Sequence, residues 1–187
     1  MELPAMFDLS SKVALVSGGS RGIGATTAEI LAEFGAHVIL TSRKAENLEE
    51  IQEKIHNAGN QASGMVCHNG DLVEIESLFE KIREKHNRLD ILVNNAATNP
   101  FYGSIQEVEE RAWDKTLDVN LKGPFFMSQH AADLMKKNGG GSIVNVSSML
   151  RDKTFNWVSK HGDMINLSIE DAFRIHNKGG MPIDKVN

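Results

Sequence analysis

The chain has 187 residues, 41% hydrophobic and 24% charged, with a formal net charge of −5, which fits one domain with a core of its own and leaves too little chain for two. The acidic balance argues against nucleic acid as a partner, and no apolar run is long enough to span a membrane. The one cysteine, Cys67, excludes an intrachain disulfide, and the seven histidines show no ligand spacing that would suit a metal. Met1 to Leu9 carries acids and a proline instead of a basic run, so no signal peptide is expected and the chain is read as cytoplasmic.

The first predicted strand lies near 12–17, Val13-Ala-Leu-Val16, an apolar run suited to burial on both faces. It breaks into Ser17-Gly-Gly-Ser-Arg-Gly-Ile-Gly24, where Gly18, Gly22 and Gly24 are spaced G-x-x-x-G-x-G. A helix follows near 22–34, with Ile23, Ile30, Leu31 and Phe34 spaced for one inward face. Strand, glycine turn and helix are the context in which such spacing signals dinucleotide binding. A Cβ would block the tight turn and the approach of a pyrophosphate, and the helix start offers free N–H groups to it.

Further strands are predicted near 37–41, 62–67, 89–94 and 142–147, and helices near 45–57, 71–86 and 107–137, the last with a break near Gly123-Pro124. Gly35, Gly59 and Gly139 to Gly141 punctuate the helix ends. Such alternation predicts an α/β fold, a doubly wound parallel sheet with helices on both faces. After Ser148 the character changes. No clean apolar strand appears, an amphipathic helix is predicted near 163–176, and Asn177 to Asn187 is polar and expected to be loose.

Four motifs occur in order: Ser17 to Gly24, Asn94-Asn-Ala-Ala97, Leu117-Asp-Val-Asn120 and Ser142-Ile-Val-Asn-Val-Ser-Ser148. On these residues the chain resembles the short-chain dehydrogenase/reductase family, classical type, from about residue 8 to 148. The resemblance implies a Rossmann-like fold, with residues 1–148 as an NADP(H)-binding domain and 149–187 as its divergent C-terminal tail. It also implies a nicotinamide cofactor, held by Gly18, Ser20, Arg21, Gly22, Ile23 and Gly24 at the glycine turn. Ser42 and Arg43 would lie near the adenosine ribose and His68 and Asn69 near the adenine. Asn94 would steady the sheet, and Ala96 and Ala97 would pack on the ribose.

Charge argues the choice of cofactor. Thr41-Ser42-Arg43-Lys44 follows the second strand, without the acid that an NAD enzyme of the family carries near Ser42. Arg43 lies about twenty residues beyond the glycine motif, where an added ribose phosphate would sit, and Arg21 adds a second cation. NADP(H) is therefore expected ahead of NAD(H). The resemblance gives Asn120 a place in a water-linked proton relay and Ser148 a hydrogen bond to a substrate carbonyl, a donor aimed at developing charge.

The family's general acid, a tyrosine followed four residues later by a lysine, has no match. The only tyrosine is Tyr102, far upstream, where an aromatic contact to substrate is expected. Without gaps, His161 and Ile165 fall at the two positions. With a short deletion, Asn156-Trp-Val-Ser-Lys160 echoes the motif and recovers Lys160 as the ribose contact. The sixth and seventh strands and the lid of a complete member are not found either, which leaves 142–147 as an apolar sheet edge that invites association. The family forms homo-oligomers, but half of the usual interface falls on the altered segment. Two functions follow: an NADP(H)-dependent oxidoreductase interconverting a small-molecule carbonyl and alcohol, weak or inactive for want of the tyrosine; or a non-catalytic NADP(H)-binding or interaction protein, or an incomplete fragment of a reductase.

Overall fold

The computed structural model describes residues 7–147 together with 157–158 and 164–165. The chain divides into two units, Met1–Val146 and Ser147–Asn187. In the first, strands and helices alternate: β1 (Val13–Val16), α1 (Gly22–Glu33), β2 (His37–Ser42), α2 (Glu46–Asn57), β3 (Ala62–Val66), α3 (Leu72–His86) and β4 (Ile91–Asn94). A 3₁₀ turn at Ile105–Glu107 leads to α4 (Glu110–Leu117), a π-helical segment (Asp118–Lys122), α5 (Gly123–Lys137) and β5 (Ser142–Asn145). The strands form one parallel sheet in the order β3-β2-β1-β4-β5, the doubly wound arrangement expected.

Alternation along each strand sends side chains to opposite faces, and a separate core forms on each. Ala14, Val16, Val38 and Leu40 pack with Ala28 and Ala32 of α1 and Leu48 and Ile55 of α2. Val13, Leu15 and Ile39 pack with Ile75, Leu78, Phe79 and Ile82 of α3 and with Met127, Ala131 and Leu134 of α5. α3 is well delimited. Asp71 caps its start by accepting from the Val73 and Glu74 N–H groups at 2.9 and 3.2 Å, and Asn87 closes it in the left-handed conformation at φ 51°.

The inward face of α1 differs from the expected isoleucine face. Gly24, Ala25, Ala28 and Ala32 are buried, while Ile23 and Ile30 are 67% and 46% exposed. The cause is close approach. A Cβ at Gly24 would collide with the Gly18 carbonyl oxygen, so only small residues fit beneath this helix. Of the predicted face, Leu31 is partly buried against the core.

The expected single helix near 107–137 is three segments, and its break precedes the predicted Gly123-Pro124. The Gly123 N–H reaches back five residues to the Asp118 carbonyl, a π-type turn of the kind that interrupts helices at functional sites. Pro124 has no N–H to continue the pattern, and the Val119 carbonyl accepts from Asn69 Nδ2 instead, at 3.4 Å.

At the N-terminal end of the sheet, buried Asp90 joins β1 to β4. It accepts from the Val13 N–H at 2.9 Å and from Arg88 Nε and Nη2 at 2.9 and 2.6 Å. Burial pulls its carboxyl upward, but the Arg88 and Val13 hydrogen bonds and the Arg88 and Lys12 charges hold it below the usual value. Nearby, the His37 and His86 rings lie 4.6 Å apart. β5 is the outer strand of this sheet, with Ile143 and Val144 exposed.

In the second unit, β6 (Trp157–Val158) pairs antiparallel with β7 (Met164–Ile165). Met164 and Ile165 are thus in a strand and not in the helix expected over 163–176. The rest of that predicted helix lies outside the described residues. Among the described residues, no helix is long and apolar enough to cross a membrane.

Candidate nucleotide-binding site

The chain leaves β1 for β2 on one side and returns through β4 on the other, so a crevice opens beyond the strand ends at this switch point. A cavity of about 570 Å³ lies there. The glycine turn forms its floor, and the three glycines serve different purposes. Gly18, at φ +65°, has no room for a side chain, since a Cβ would lie 2.9 Å from Ala96 Cα. Gly22, at φ +56°, is different: a Cβ there would meet nothing within 4 Å. Gly24 seats α1 against the turn. The Arg21 N-cap makes no side-chain hydrogen bond to the helix start, which leaves the first N–H groups of α1 to an anionic ligand.

Of the residues assigned to the cofactor, Gly18, Ser20, Arg21, Gly22, Ile23, Ser42, Arg43, His68, Asn69, Ala96 and Ala97 line this cavity. Gly24 and Asn94 do not; they stand behind the lining. Asn94 is buried and its Nδ2 lies 2.9 Å from Asn145 Oδ1, 3.0 Å from Ser128 Oγ and 3.3 Å from the Pro124 carbonyl. It ties β4 to both α5 and β5. Ser148 and Lys160, and the alternative pair position His161, lie outside the described residues. Tyr102 is 87% exposed and is not among the lining residues.

Asn95 is the main positioning residue that the motif alone did not single out. Its Nδ2 donates to the Ser17 and Gly18 carbonyls at 3.1 and 3.2 Å, and buried Ser17 Oγ accepts from the Asn95 and Ala96 N–H groups at 3.0 and 3.1 Å. Four hydrogen bonds thus brace the glycine turn against the end of β4. The signal was present in the sequence as a polar pair, Ser17 and Asn95, at two strand ends. Asn120 makes a second brace. Its Oδ1 accepts from the Thr98 N–H and its Nδ2 donates to the Thr98 carbonyl, both at 2.8 Å. The side chain therefore fixes the loop after β4, and Thr98 itself lines the cavity.

On the opposite wall, His68 Nδ1 accepts from the Gly70 N–H at 3.1 Å, so the neutral ring carries its proton on Nε2. Asn69 is buried, and its Oδ1 has no hydrogen-bond partner among the described residues. Cys67 lines the cavity as well, but burial, followed by the Glu74 and Asp71 charges, pushes its thiol up to about 12. It is protonated at neutral pH and a poor nucleophile. Thr41, Lys44, Asn47, Lys115 and Val119 complete the wall beyond the residues assigned from sequence. Thr41, Asn47, Lys115 and Val119 come from four different elements and Lys44 from the loop between β2 and α2.

Parallel sheet, glycine turn and crevice at the switch point together define an α/β nucleotide-binding protein. The chain belongs to the short-chain dehydrogenase family, classical type, whose model matches residues 12–162. It is 45% identical over 141 residues, 75% of its length, to human dehydrogenase/reductase SDR family member 4. An uncharacterised oxidoreductase of Thermotoga maritima is 44% identical over 142 residues, again 75% of this chain. The chain spans about half the length of these relatives, 51% and 55%. A metagenomic short-chain oxidoreductase solved in complex with NADP superposes with a TM-score of 0.74 at 35% identity, over 77% of this chain and 65% of that one. The family is one of NAD(P)-dependent oxidoreductases acting on small molecules.

Proposed function

We propose that residues 1–148 form the NADP(H)-binding part of an oxidoreductase that interconverts a carbonyl and an alcohol. One observation carries the choice of cofactor: among the described residues the cavity is lined by four cations, Arg21, Arg43, Lys44 and Lys115, and by no carboxylate, in a chain of net charge −5. A cation at the end of β2 favours the added ribose phosphate, and a carboxylate there would repel it. The NADP-bound relative supports the same choice.

When bound, the cofactor supplies or takes up hydride. The chain's own residues do the rest. The α1 N-terminus and glycine turn hold the pyrophosphate, and Ser42 and Arg43 grip the ribose phosphate. Ala96 and Ala97 pack on the cofactor, and Asn120 acts as a positioning residue through Thr98. By the resemblance, Ser148 would donate to the substrate carbonyl and Lys160 to the nicotinamide ribose.

NADPH titration monitored by fluorescence tests the binding step. Wild type should bind, and Arg43→Glu should weaken NADPH by more than tenfold, given the roughly 1.5–3 kcal/mol of a charge-assisted hydrogen bond. Turnover of a carbonyl panel that collapses in Ser148→Ala supports the enzyme. A second function rests on one specific observation, the absence of the tyrosine–lysine pair. General acid–base catalysis is worth about 10²–10⁴-fold, so binding without turnover on any carbonyl would assign the chain to a non-catalytic NADP(H)-binding role.

A further inference from the structure

The sequence holds two Asn-Gly pairs, Asn69-Gly70 and Asn138-Gly139. Such a pair is prone to lose the asparagine amide, because glycine leaves the next backbone nitrogen unhindered and free to turn. The fold treats the two pairs in opposite ways.

Asn69 is buried in the cavity wall, 5% exposed. Its Nδ2 donates to the Val119 carbonyl at 3.4 Å, and the Gly70 N–H donates to His68 Nδ1 at 3.1 Å. A Cβ at Gly123 would collide with the Asn69 carbonyl oxygen, so this backbone is wedged against the start of α5. The side-chain amide and the nitrogen that would attack it are both held.

Asn138 is exposed in the turn between α5 and β5. Its own N–H and that of Gly140 donate to the Met135 carbonyl at 3.0 and 2.9 Å. Among the described residues the Gly139 N–H between them has no hydrogen-bond partner. Gly139 and Gly140 have φ of +84° and +124°, and a Cβ at either would meet nothing within 4 Å. The turn is anchored again at Gly141, which packs on Met135 and Asp90, and at Ser142, whose N–H donates to the Asp90 carbonyl at 2.8 Å. One neutral hydrogen bond restrains the Asn138 side chain: its Nδ2 donates to the Leu134 carbonyl at 3.1 Å. That carbonyl belongs to the last turn of α5, where backbone acceptors lack partners within the helix.

We propose that Asn138, and not Asn69, deamidates in the folded chain, and that the reaction uncaps the C-terminal end of α5. The Gly139 nitrogen gives up its proton and bonds to Asn138 Cγ. The Cγ–Nδ2 bond breaks, and the amide leaves as ammonia with that proton. Water then opens the five-membered imide. Cleavage at Cγ leaves aspartate, and cleavage at the backbone carbonyl leaves isoaspartate, with the chain running through Cγ. The step is neither an oxidation nor a reduction. Either product replaces the donor to the Leu134 carbonyl by a carboxylate, at a helix end whose dipole disfavours an anion.

Ageing the full chain in mildly alkaline buffer, followed by peptic digestion in acid and mass spectrometry, tests this. The peptide holding Asn138 should gain the mass of an amide-to-acid exchange at least about tenfold faster than the one holding Asn69, which reacts only through local opening. In urea the two rates should converge, because the dipeptides are the same. Aged wild type should show faster amide hydrogen exchange in the last turn of α5 than fresh protein. Asn138→Gln keeps a side-chain amide but not the reactive pair, and ageing should leave its exchange unchanged. Comparable rates in the folded chain, a faster Asn69, or no gain at either site overturns the deamidation proposal. A gap that persists in urea overturns the fold as its cause. Deamidation at Asn138 with unaltered exchange in α5 overturns the uncapping.

Discussion

Asn95 shows how a residue of the cavity lining also braces the site from behind. Its carboxamide joins the end of β4 to the Ser17 and Gly18 carbonyls, and these are the atoms that set the turn beneath α1. Asn95→Ala removes both donors and leaves two carbonyls short of partners. A loss of about 1–2 kcal/mol in unfolding free energy follows from that count, measured by urea titration, together with a weaker NADPH affinity in the folded protein. Asn95→Asp keeps the shape but replaces the donors with an acceptor facing two carbonyls, and should be at least as damaging. At this scale the sequence was legible wherever one segment held the whole motif. The glycine turn, the Ser42-Arg43 pair and the Ala96-Ala97 pair all line the cavity because each belongs to a strand end. Lys115, Asn47 and Val119 were not legible, since nothing local marks a helix residue as facing a crevice.

Among elements, the π segment carries the clearest consequence. Its five residues turn Asn120 toward the loop after β4, where both ends of its amide meet the Thr98 backbone. Asn120→Ala should speed amide hydrogen exchange at Thr98 while the helical circular dichroism stays the same. Asn120→Asp retains the acceptor for the Thr98 N–H and should keep that one amide protected. If exchange at Thr98 is unaltered in Asn120→Ala, the brace has no role in solution. The sequence pointed to an interruption at Gly123-Pro124, because proline marks helix ends; it could not show that the chain absorbs the missing donor upstream, by widening the preceding turn. In α1 the inference went astray for a related reason. Periodicity selects large apolar residues, whereas close packing on the sheet selected Gly24, Ala28 and Ala32.

For the molecule as a whole, two groups at the N-terminal end of the sheet contribute to the response to acid. Burial, with the neighbouring His37 and Lys85, holds the His86 imidazole below its ordinary 6.5. The unfolded chain therefore binds a proton that the folded chain resists, so stability falls as pH drops below about 6.5. Asp90 acts lower. Its carboxyl stays ionised in the fold below the ordinary 3.8, so its contribution is complete above that value and is lost as pH falls through the folded one. Thermal unfolding between pH 8 and pH 3 should show two successive declines in Tm. His86→Phe, which keeps a ring against His37 but cannot titrate, should abolish the first and spare the second. A single decline unaffected by His86→Phe would refute this account. The overall architecture was legible because burial on both faces leaves continuous apolar strands, and the alternation with helices then fixes parallel pairing.

The division of the crevice between two cores has an evolutionary meaning. α1 and α2 pack in one core, and α3 and α5 pack in the other. Selection for a different nucleotide need not begin at the mouth. Volume changes at Met127 or Phe79 in one core, or at Leu48 in the other, should shift the wall on their own face of the sheet more than the opposing one. A laboratory selection for altered cofactor preference should therefore recover substitutions in one core at a time, each mutation set confined to a single face of the sheet.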